Sequence, residues 1–265
     1  MCGIFGTLNH DISDHDFRKR LDLLSHRGPD GFGIWYSEDN SVRLGHRRLA
    51  IIDKSDNARQ PMEAYDRYLI SYNGEIYNYL ELRQDLEKKG ISFFSNSDSE
   101  VLLKLIVREG PDALQKLNGM WAFVIYDKIE KSLFISRDRM GEKPLYYSLS
   151  DSRLAFSSEM KSLYNLAGDF SYNKEFIGQY LSRPYDNETM PETIINDIRK
   201  FPAGHFAIFH KGKMEIKRYF DTDALLNQEK KHSSIIDVVE EFKELFKSSC
   251  SLRMRSDVPV GCSLS

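Results

Sequence analysis

The 265-residue sequence is poor in cysteine and has no recognisable disulfide framework. Its three cysteines, Cys2, Cys250 and Cys262, are an odd number at irregular spacing, which argues against a disulfide-stabilised secreted domain. A reducing compartment, the cytoplasm, is therefore the expected location. The seven histidines are scattered, and no group of cysteines and histidines has the spacing of a zinc site, so no metal is expected.

Long apolar runs and a strong charge imbalance are also lacking. No stretch approaches the roughly 18 consecutive apolar residues of a transmembrane helix. Asp11, Asp14 and Asp16 interrupt the place where the apolar core of a signal peptide would lie. Lys+Arg 37 against Asp+Glu 40 leaves a net charge of −3, which gives no electrostatic reason to expect nucleic acid or an anionic membrane as a partner.

The first 220 residues are dominated by short runs rich in β-branched and aromatic residues, which predict strands. These runs are Gly31–Tyr36, Leu49–Ile52, Tyr68–Tyr72, Met120–Asp127, Ser132–Arg137 and His205–His210. Helices are predicted from apolar spacing at Phe17–Ser25, Tyr79–Lys89 and Ser99–Gly110, and Gly90 is expected to cap the second. Because strands and helices do not alternate regularly, the sequence favours a layered α+β domain over a doubly wound parallel sheet.

The composition changes after residue 220. Residues 221–232 are polar and lysine-rich, as is typical of a linker, and residues 233–265 begin a second unit. Ser234 has the position of a helix N-cap. The apolar stripe of the helix that follows is formed by Ile235, Val238, Val239, Phe242, Leu245 and Phe246.

Cys2 lies in an apolar, glycine-punctuated stretch, MCGIFG, directly behind Met1. One interpretation is a small hydrophobic residue at the start of an edge strand. The other is a nucleophile: once Met1 is removed, Cys2 carries a thiol and a free α-amino group. Because an α-amino group has a pKa of about 7.7–8.0, a substantial fraction is neutral near pH 7 and can accept the thiol proton without a histidine.

Asn73 and Gly74 follow a predicted strand in the segment YNGEIYNY. An Asn-Gly pair often marks a tight turn, which is the structural interpretation. The functional one is an oxyanion hole, in which the Asn73 amide and the Gly74 N–H act as two donors to a tetrahedral intermediate.

Charged residues near two predicted elements suggest a clamp for a free amino acid. Arg47 and Arg48 run directly into an apolar stretch. A solvated strand end accounts for one arginine but less easily for a second, which could instead grip a carboxylate through its planar fork. Asp98, in SDSE, is placed either to serve a helix N-terminus or to bind a substrate ammonium group.

These segments occur in an order that resembles the glutamine-hydrolysing asparagine synthetase family. The matching motifs are MCGIFG, HRGPD, GHRRLAIID, YNGEIYNY, SDSE, GMWAF, RDRMGEKPLYY, SSEMK and FPAGH. The resemblance covers essentially the whole chain. It implies a four-layer αββα N-terminal-nucleophile hydrolase fold with antiparallel sheets, in a class II glutamine amidotransferase (glutaminase) domain at 1–220.

The resemblance also implies roles for individual residues. Cys2 would attack the glutamine side-chain amide, with Asn73 and Gly74 as oxyanion donors. Arg48 would hold the α-carboxylate of L-glutamine, Asp98 with Glu75 would bind its α-amino group, and backbone at 49–52 would line the pocket. The implied glutamine-binding set is Arg48, Leu49, Ala50, Ile51, Ile52, Asn73, Gly74, Glu75 and Asp98. No cofactor is implied for this step.

The family's second domain is an ATP-pyrophosphatase that needs ATP and Mg²⁺ and converts aspartate to asparagine. Residues 233–265 resemble its first helix and strand, and Leu264 and Ser265 match the start of its phosphate-binding loop. We therefore expect this chain alone to be at most a glutaminase. The sequence leaves open another carboxylate acceptor for the ammonia, an inactive remnant that binds glutamine, and the oligomeric state, with a homodimer as one alternative.

Overall fold

Two antiparallel sheets of six strands form the frame of the protein in the computed structural model, which describes residues 1–166, 171–183, 185, 190–226 and 234–261. The first sheet has the order β10 (Arg199–Lys200), β8 (Tyr146–Ser150), β9 (Arg153–Ser157), β1 (Gly3–Leu8), β3 (Val42–Arg48) and β2 (Gly31–Tyr36). The second has the order β12 (Lys213–Arg218), β11 (His205–His210), β7 (Ser132–Arg137), β6 (Gly119–Asp127), β5 (Tyr68–Ile76) and β4 (Met62–Ala64).

The helices of the described residues lie between and after these strands. They are α1 (Asp14–Asp22), α2 (Tyr79–Lys88), α3 (Asp98–Glu109), α4 (Lys174–Ser182), α5 (Thr222–Leu226) and α6 (Ile235–Arg253). Short 3₁₀ turns occur at Asp56–Ala58, Gly110–Lys116 and Met160–Ser162. None of these helices combines the length and the apolar character needed to cross a membrane.

Three apolar clusters explain how these layers pack. Ile4 of β1 faces the second sheet and packs in one cluster with Val124 of β6, so the two sheets share a core. The next residue, Phe5, points to the opposite face and packs with Phe17 of α1, because side chains alternate along a strand. A third cluster joins the outer face of the second sheet to α2 and α3. Helix, sheet, sheet and helices thus follow one another, as predicted for a layered α+β domain.

Most of the predicted elements are confirmed with shifts of a few residues at their ends. The first helix begins earlier than predicted, at Asp14, because the Ser13 side chain accepts a hydrogen bond from the Asp16 N–H and caps it. Gly90 has φ +82°, the left-handed conformation expected after a helix C-terminus. Ser234 accepts a hydrogen bond from the Asp237 N–H, as predicted for the cap of α6.

The strand predicted at Leu49–Ile52 is wrong. Strand β3 ends at Arg48, and the following residues leave the sheet. Side chains take the hydrogen bonds that a neighbouring strand would otherwise supply: the Leu49 N–H donates to Cys2 Sγ at 3.4 Å and the Ala50 N–H donates to an Asp30 oxygen at 2.8 Å. A run of four apolar residues does not distinguish a strand from a half-buried loop.

The region after residue 220 is described in part. The predicted linker contains α5, and residues 227–233 lie outside the described residues, as does Cys262. The apolar stripe of α6 is exposed, with 64% of the Phe242 side chain and 60% of Leu245 accessible to solvent.

Candidate active site

Cys2 stands at the start of β1 and faces a pocket built from both sheets. Most of the predicted site residues line it: Cys2, Arg48, Leu49, Ile51, Ile52, Asn73, Gly74, Glu75 and Asp98. Ala50 instead lines a neighbouring cavity, because its N–H is drawn to Asp30. Leu264 and Ser265, the predicted ATP-binding residues, lie outside the described residues.

The Cys2 thiol is held against the loop that follows β3. Its Sγ lies 3.4 Å from the Leu49 nitrogen, which donates to it, and 3.6 Å from the Leu49 carbonyl oxygen. Arg27 fixes the main chain at this point, since its Nε donates to the Cys2 carbonyl at 2.9 Å while its Nη1 contacts Glu159 at 3.1 Å. Burial raises the pKa of the Cys2 thiol, although the Leu49 N–H opposes this effect. Deprotonation of Cys2 therefore needs a base.

Asn73 and Gly74 lie inside β5 rather than in a tight turn. Asn73 is paired with Ala122 and Gly74 with Trp121 across β5 and β6. The Asn73 side chain is only 1% exposed, and neither its Nδ2 nor its Oδ1 has a hydrogen-bond partner among the described residues. A buried amide without a partner is costly, so this side chain is a candidate to hydrogen-bond a ligand.

The N–H of Gly74 points toward the open edge of β5. On that edge the Tyr72 N–H donates to Gln60 Oε1 at 2.7 Å, and the Ile76 N–H donates to Asp98 Oδ2 at 3.0 Å. Because N–H groups of an antiparallel strand alternate between its two edges, the Gly74 N–H lies between these two and faces the same way. Strand β5 thus directs a main-chain donor and the Asn73 amide to one pocket.

Only glycine fits at position 74. A Cβ built there would lie 2.3 Å from the Met120 carbonyl oxygen and 2.4 Å from Cε2 of Tyr72. Both distances are far below van der Waals contact, so any side chain would force β5 away from β6.

Arg48 lies at the end of β3 with its guanidinium held by the loop that follows. Its Nη1 donates to the Ser55 carbonyl at 2.9 Å, and its Nη2 donates to the Asp53 carbonyl. Among the described residues it forms no ion pair. The main chain thus orients a cation at the pocket and leaves its charge available for an anionic ligand.

Two carboxyl groups provide the opposite charge. Asp98 is the first residue of α3, whose N-cap is Ser97, so the helix begins one residue before the predicted Ser99 and Asp98 lies at its N-terminus, as one of the two interpretations predicted. Burial raises the pKa of Asp98 to about 6, even though the Ile76 N–H and the Tyr72 hydroxyl hydrogen-bond to its carboxylate. Burial also raises the pKa of Glu75, against the influence of Lys143. Desolvated carboxyl groups of this kind gain from a cationic partner.

Several residues of the pocket were not found from the sequence. Gln60 joins two elements, because its Oε1 accepts from Tyr72 while its Nε2 donates to Ser99 Oγ at 3.1 Å. Lys143 lines the pocket and burial lowers its pKa. No local pattern marks a lone glutamine or lysine as a pocket residue, so these assignments needed the three-dimensional structure.

His46 lines the same pocket but has the properties of a structural histidine. Burial lowers its pKa to about 3, so the ring is neutral, and its Nε2 donates to the Tyr72 carbonyl at 3.0 Å. No group of three potential metal-binding side chains is found in the part of the chain that the structure describes.

Comparisons with known proteins agree with this geometry. The glutamine amidotransferase domain family matches residues 1–220. Asparagine synthetase [glutamine-hydrolyzing] 1 of Bacillus subtilis is 38% identical over 100% of this chain and 42% of its own length. A putative asparagine synthetase [glutamine-hydrolyzing] 2 of Methanocaldococcus jannaschii is 36% identical over 100% of this chain and 54% of its own length. The chain thus spans about half the length of these relatives.

A solved structure shows the same fold. Glutamine phosphoribosylpyrophosphate amidotransferase from B. subtilis, complexed with ADP and GMP, superposes with a TM-score of 0.62 over 83% of this chain and 49% of its own, at 22% identity. The match over residues 1–220 and the identity to the two asparagine synthetases confirm the resemblance drawn from the motifs. The chain belongs to the glutamine amidotransferase domain family.

Proposed function

We propose that this chain hydrolyses L-glutamine at Cys2 and releases ammonia. The observation that carries the proposal is the Asn73 amide, which has no hydrogen-bond partner among the described residues and is buried in the same pocket as the Cys2 thiol. The same pocket presents a cation from Arg48 and carboxyl groups from Asp98 and Glu75, which suit the two charged ends of a free amino acid.

The reaction begins with the thiol. With Met1 removed, the neutral α-amino group of Cys2 accepts the thiol proton, and Sγ attacks the side-chain amide carbon of glutamine. The amide oxygen becomes an oxyanion that receives hydrogen bonds from Asn73 Nδ2 and the Gly74 N–H. Collapse breaks the carbon–nitrogen bond, and the α-ammonium group returns its proton to the departing nitrogen as ammonia. A γ-glutamyl thioester remains on Cys2.

Water completes the cycle. The α-amino group removes a proton from the water molecule, whose oxygen attacks the thioester carbon through a second tetrahedral intermediate in the same oxyanion site. The carbon–sulfur bond breaks, glutamate leaves and the Cys2 thiol is restored. Arg48 and Asp98 hold the α-carboxylate and α-ammonium groups throughout, so they contribute mainly to binding. The glutaminase step requires no cofactor.

The ammonia is proposed to serve the amidation of aspartate to asparagine, as the names of the relatives suggest. This step would use ATP and Mg²⁺ in an ATP-pyrophosphatase domain that begins at residues 233–265. The exposed apolar stripe of α6 and the end of the family match at residue 220 support a separate unit there. The residues assigned to ATP lie outside the described part of the chain, so no chemistry is assigned to them. A cytoplasmic location also remains a prediction.

The test is a glutaminase assay on the purified chain, with the amino terminus identified by intact mass. We expect ammonia and glutamate in equal amounts, and loss of both in Cys2→Ala. Cys250→Ala is the matched control, because Cys250 is an exposed free cysteine on α6, away from the pocket. Ammonia release by Cys2→Ala at the wild-type rate, or none from a folded chain with Cys2 at its terminus, contradicts the proposal.

A further inference from the structure

The segment Arg253–Val258, which we call the strap, lies against the loop that follows β3. The Asp257 carboxylate Oδ2 accepts a hydrogen bond of 2.7 Å from the Asp53 N–H. The Asp257 N–H in turn donates to the Ile51 carbonyl oxygen at 2.9 Å. One strap residue thus binds the loop at two points, although some 200 residues separate them in sequence.

The loop that the strap binds is the one that orients Arg48. Asp53 accepts from Arg48 through its main-chain carbonyl, and it has a left-handed conformation with φ +51°. Its side chain is bound as well: Oδ1 accepts from Ser55 Oγ at 2.6 Å and Oδ2 accepts from the Asn96 N–H at 2.7 Å. Asp257 therefore completes the main-chain hydrogen bonding of a residue whose carbonyl holds the Arg48 guanidinium.

A second anchor fixes the other part of the strap near β5. Arg255 Nη1 donates to the Tyr77 carbonyl at 2.6 Å and to Glu81 Oε2 at 2.6 Å. The Arg253 guanidinium lies 4.8 Å from the centre of the Tyr77 ring. Tyr77 directly follows the strand that carries Asn73 and Gly74. The strap thus connects the loop of Arg48 to the end of the strand that supplies the oxyanion donors.

We propose that Asp257 is a positioning residue for glutamine binding, because it holds the loop at Ile51 and Asp53 and so fixes the direction of the Arg48 guanidinium. This inference rests on the proposed function, in which Arg48 binds the α-carboxylate. It predicts an effect on KM for glutamine and little effect on kcat, since the reacting thiol and oxyanion donors do not contact Asp257. Asp257 is exposed, so its truncation leaves no cavity in the core.

The test compares Asp257→Ala, Asp257→Asn and the control Glu240→Ala in the full chain. Loss of one surface hydrogen bond predicts a KM about threefold to tenfold higher in Asp257→Ala with kcat within about twofold. Asparagine keeps an acceptor oxygen, so Asp257→Asn restores KM to within about twofold. Glu240 is exposed on α6 and pairs with Lys243, so its variant keeps the wild-type KM.

Hydrogen exchange provides a readout independent of activity. The peptide covering residues 49–55 exchanges faster in Asp257→Ala than in the wild type and Glu240→Ala. An unchanged KM together with unchanged exchange overturns the role of Asp257, and so does a loss of kcat with KM preserved. If residues 49–55 exchange faster in Asp257→Ala but the wild-type chain shows no Cys2-dependent ammonia release, the result contradicts the glutaminase proposal instead.

Discussion

The Tyr72 hydroxyl donates a hydrogen bond of 2.9 Å to Oδ2 of Asp98, and both side chains are buried. The Ile76 N–H donates to the same oxygen at 3.0 Å. These two donors stabilise the carboxylate, yet burial still raises the pKa of Asp98 to about 6. The group therefore changes charge in a range that a kinetic experiment can reach.

We expect kcat/KM to decrease in two steps as the pH is lowered. The first step is protonation of the α-amino group of Cys2, and the second, near pH 6, is protonation of Asp98, which then no longer attracts the substrate ammonium. In Asp98→Asn the second step is absent, and kcat/KM at pH 7.5 falls about 10- to 100-fold because a charged hydrogen bond is lost. A second step that persists in Asp98→Asn assigns it to another group.

Protonation of Asp98, which lowers kcat/KM, is expected to increase the stability of the fold. Because the pKa of Asp98 is higher in the folded than in the unfolded chain, its protonation stabilises the fold. This contribution is complete below the ordinary aspartate pKa of about 4 and is lost as the pH rises through about 6. Urea unfolding should show that the free energy of unfolding increases more from pH 7 to pH 5 in the wild type than in Asp98→Asn. Equal gains would contradict this assignment.

Asn73→Ala is expected to separate catalysis from stability. Loss of one oxyanion donor lowers kcat about 10²- to 10³-fold. The free energy of unfolding changes by less than about 1 kcal/mol, because the Asn73 amide has no partner among the described residues and its removal breaks no hydrogen bond. Steady-state kinetics and thermal denaturation check the two parts.

Asn78→Ala is the reciprocal control for that variant. The Asn78 side chain donates to the Lys116 carbonyl and accepts from the Asn118 N–H, both at 2.9 Å. Its truncation therefore costs stability, about 1–3 kcal/mol, while kcat stays near the wild-type value. If the stability loss were larger in Asn73→Ala than in Asn78→Ala, Asn73 would be a structural residue.

Gly74→Ala is expected to reduce both activity and stability. The added methyl group would meet the Met120 carbonyl oxygen at 2.3 Å, and relief of this overlap shifts β5 with its two donors. Overpacking of this kind costs about 1–3 kcal/mol, and kcat should fall at least about 100-fold. Gly178→Ala in α4 is the control, since no atom lies within 4 Å of its Cβ position, and it should stabilise the helix by about 0.5–1 kcal/mol. Full activity in Gly74→Ala excludes an oxyanion role for this N–H.

Retention of Met1 is expected to abolish glutamine hydrolysis. With Met1 attached, the Cys2 nitrogen is a peptide amide that accepts no proton, and burial keeps the pKa of the Cys2 thiol raised. Intact-mass spectrometry separates processed from unprocessed chains, and kcat should scale with the processed fraction. A variant with Glu inserted between Met1 and Cys2, which blocks exposure of the cysteine amine, should be inactive but folded. Activity in that variant would require another base.

The sequence suggested candidate site residues where the chemistry is local to a short segment, and their roles stay predictions. Cys2 became a candidate because a thiol and an α-amino group on one residue have a chemical consequence. Asp98 became one because its carboxylate could bind a substrate ammonium group, with a helix N-terminus as the alternative, and the family resemblance then implied a role for each. Asn73 remained ambiguous, since an Asn-Gly pair is compatible with a turn. Pairing with Ala122 resolves the ambiguity, and that partner lies nearly 50 residues away in sequence.

The parts that the sequence did not predict depend on contacts between distant segments. The run at 49–52 was wrongly predicted as a strand, because its main-chain partners are the side chains of Cys2 and Asp30 rather than another strand. Gln60 bridges Tyr72 and Ser99 without any local pattern. The boundaries at 220 and 232 stay predictions, since residues 227–233 lie outside the described chain.

The open edge of β5 has a consequence for solubility as well as catalysis. An uncovered strand edge is a template for pairing with another chain. Between residues 72 and 76, side chains of Gln60 and Asp98 occupy the N–H groups on either side of Gly74. An incoming strand would therefore meet N–H groups at Tyr72 and Ile76 that are already bonded. The side chains that flank the Gly74 N–H at the pocket therefore also oppose strand addition at this edge.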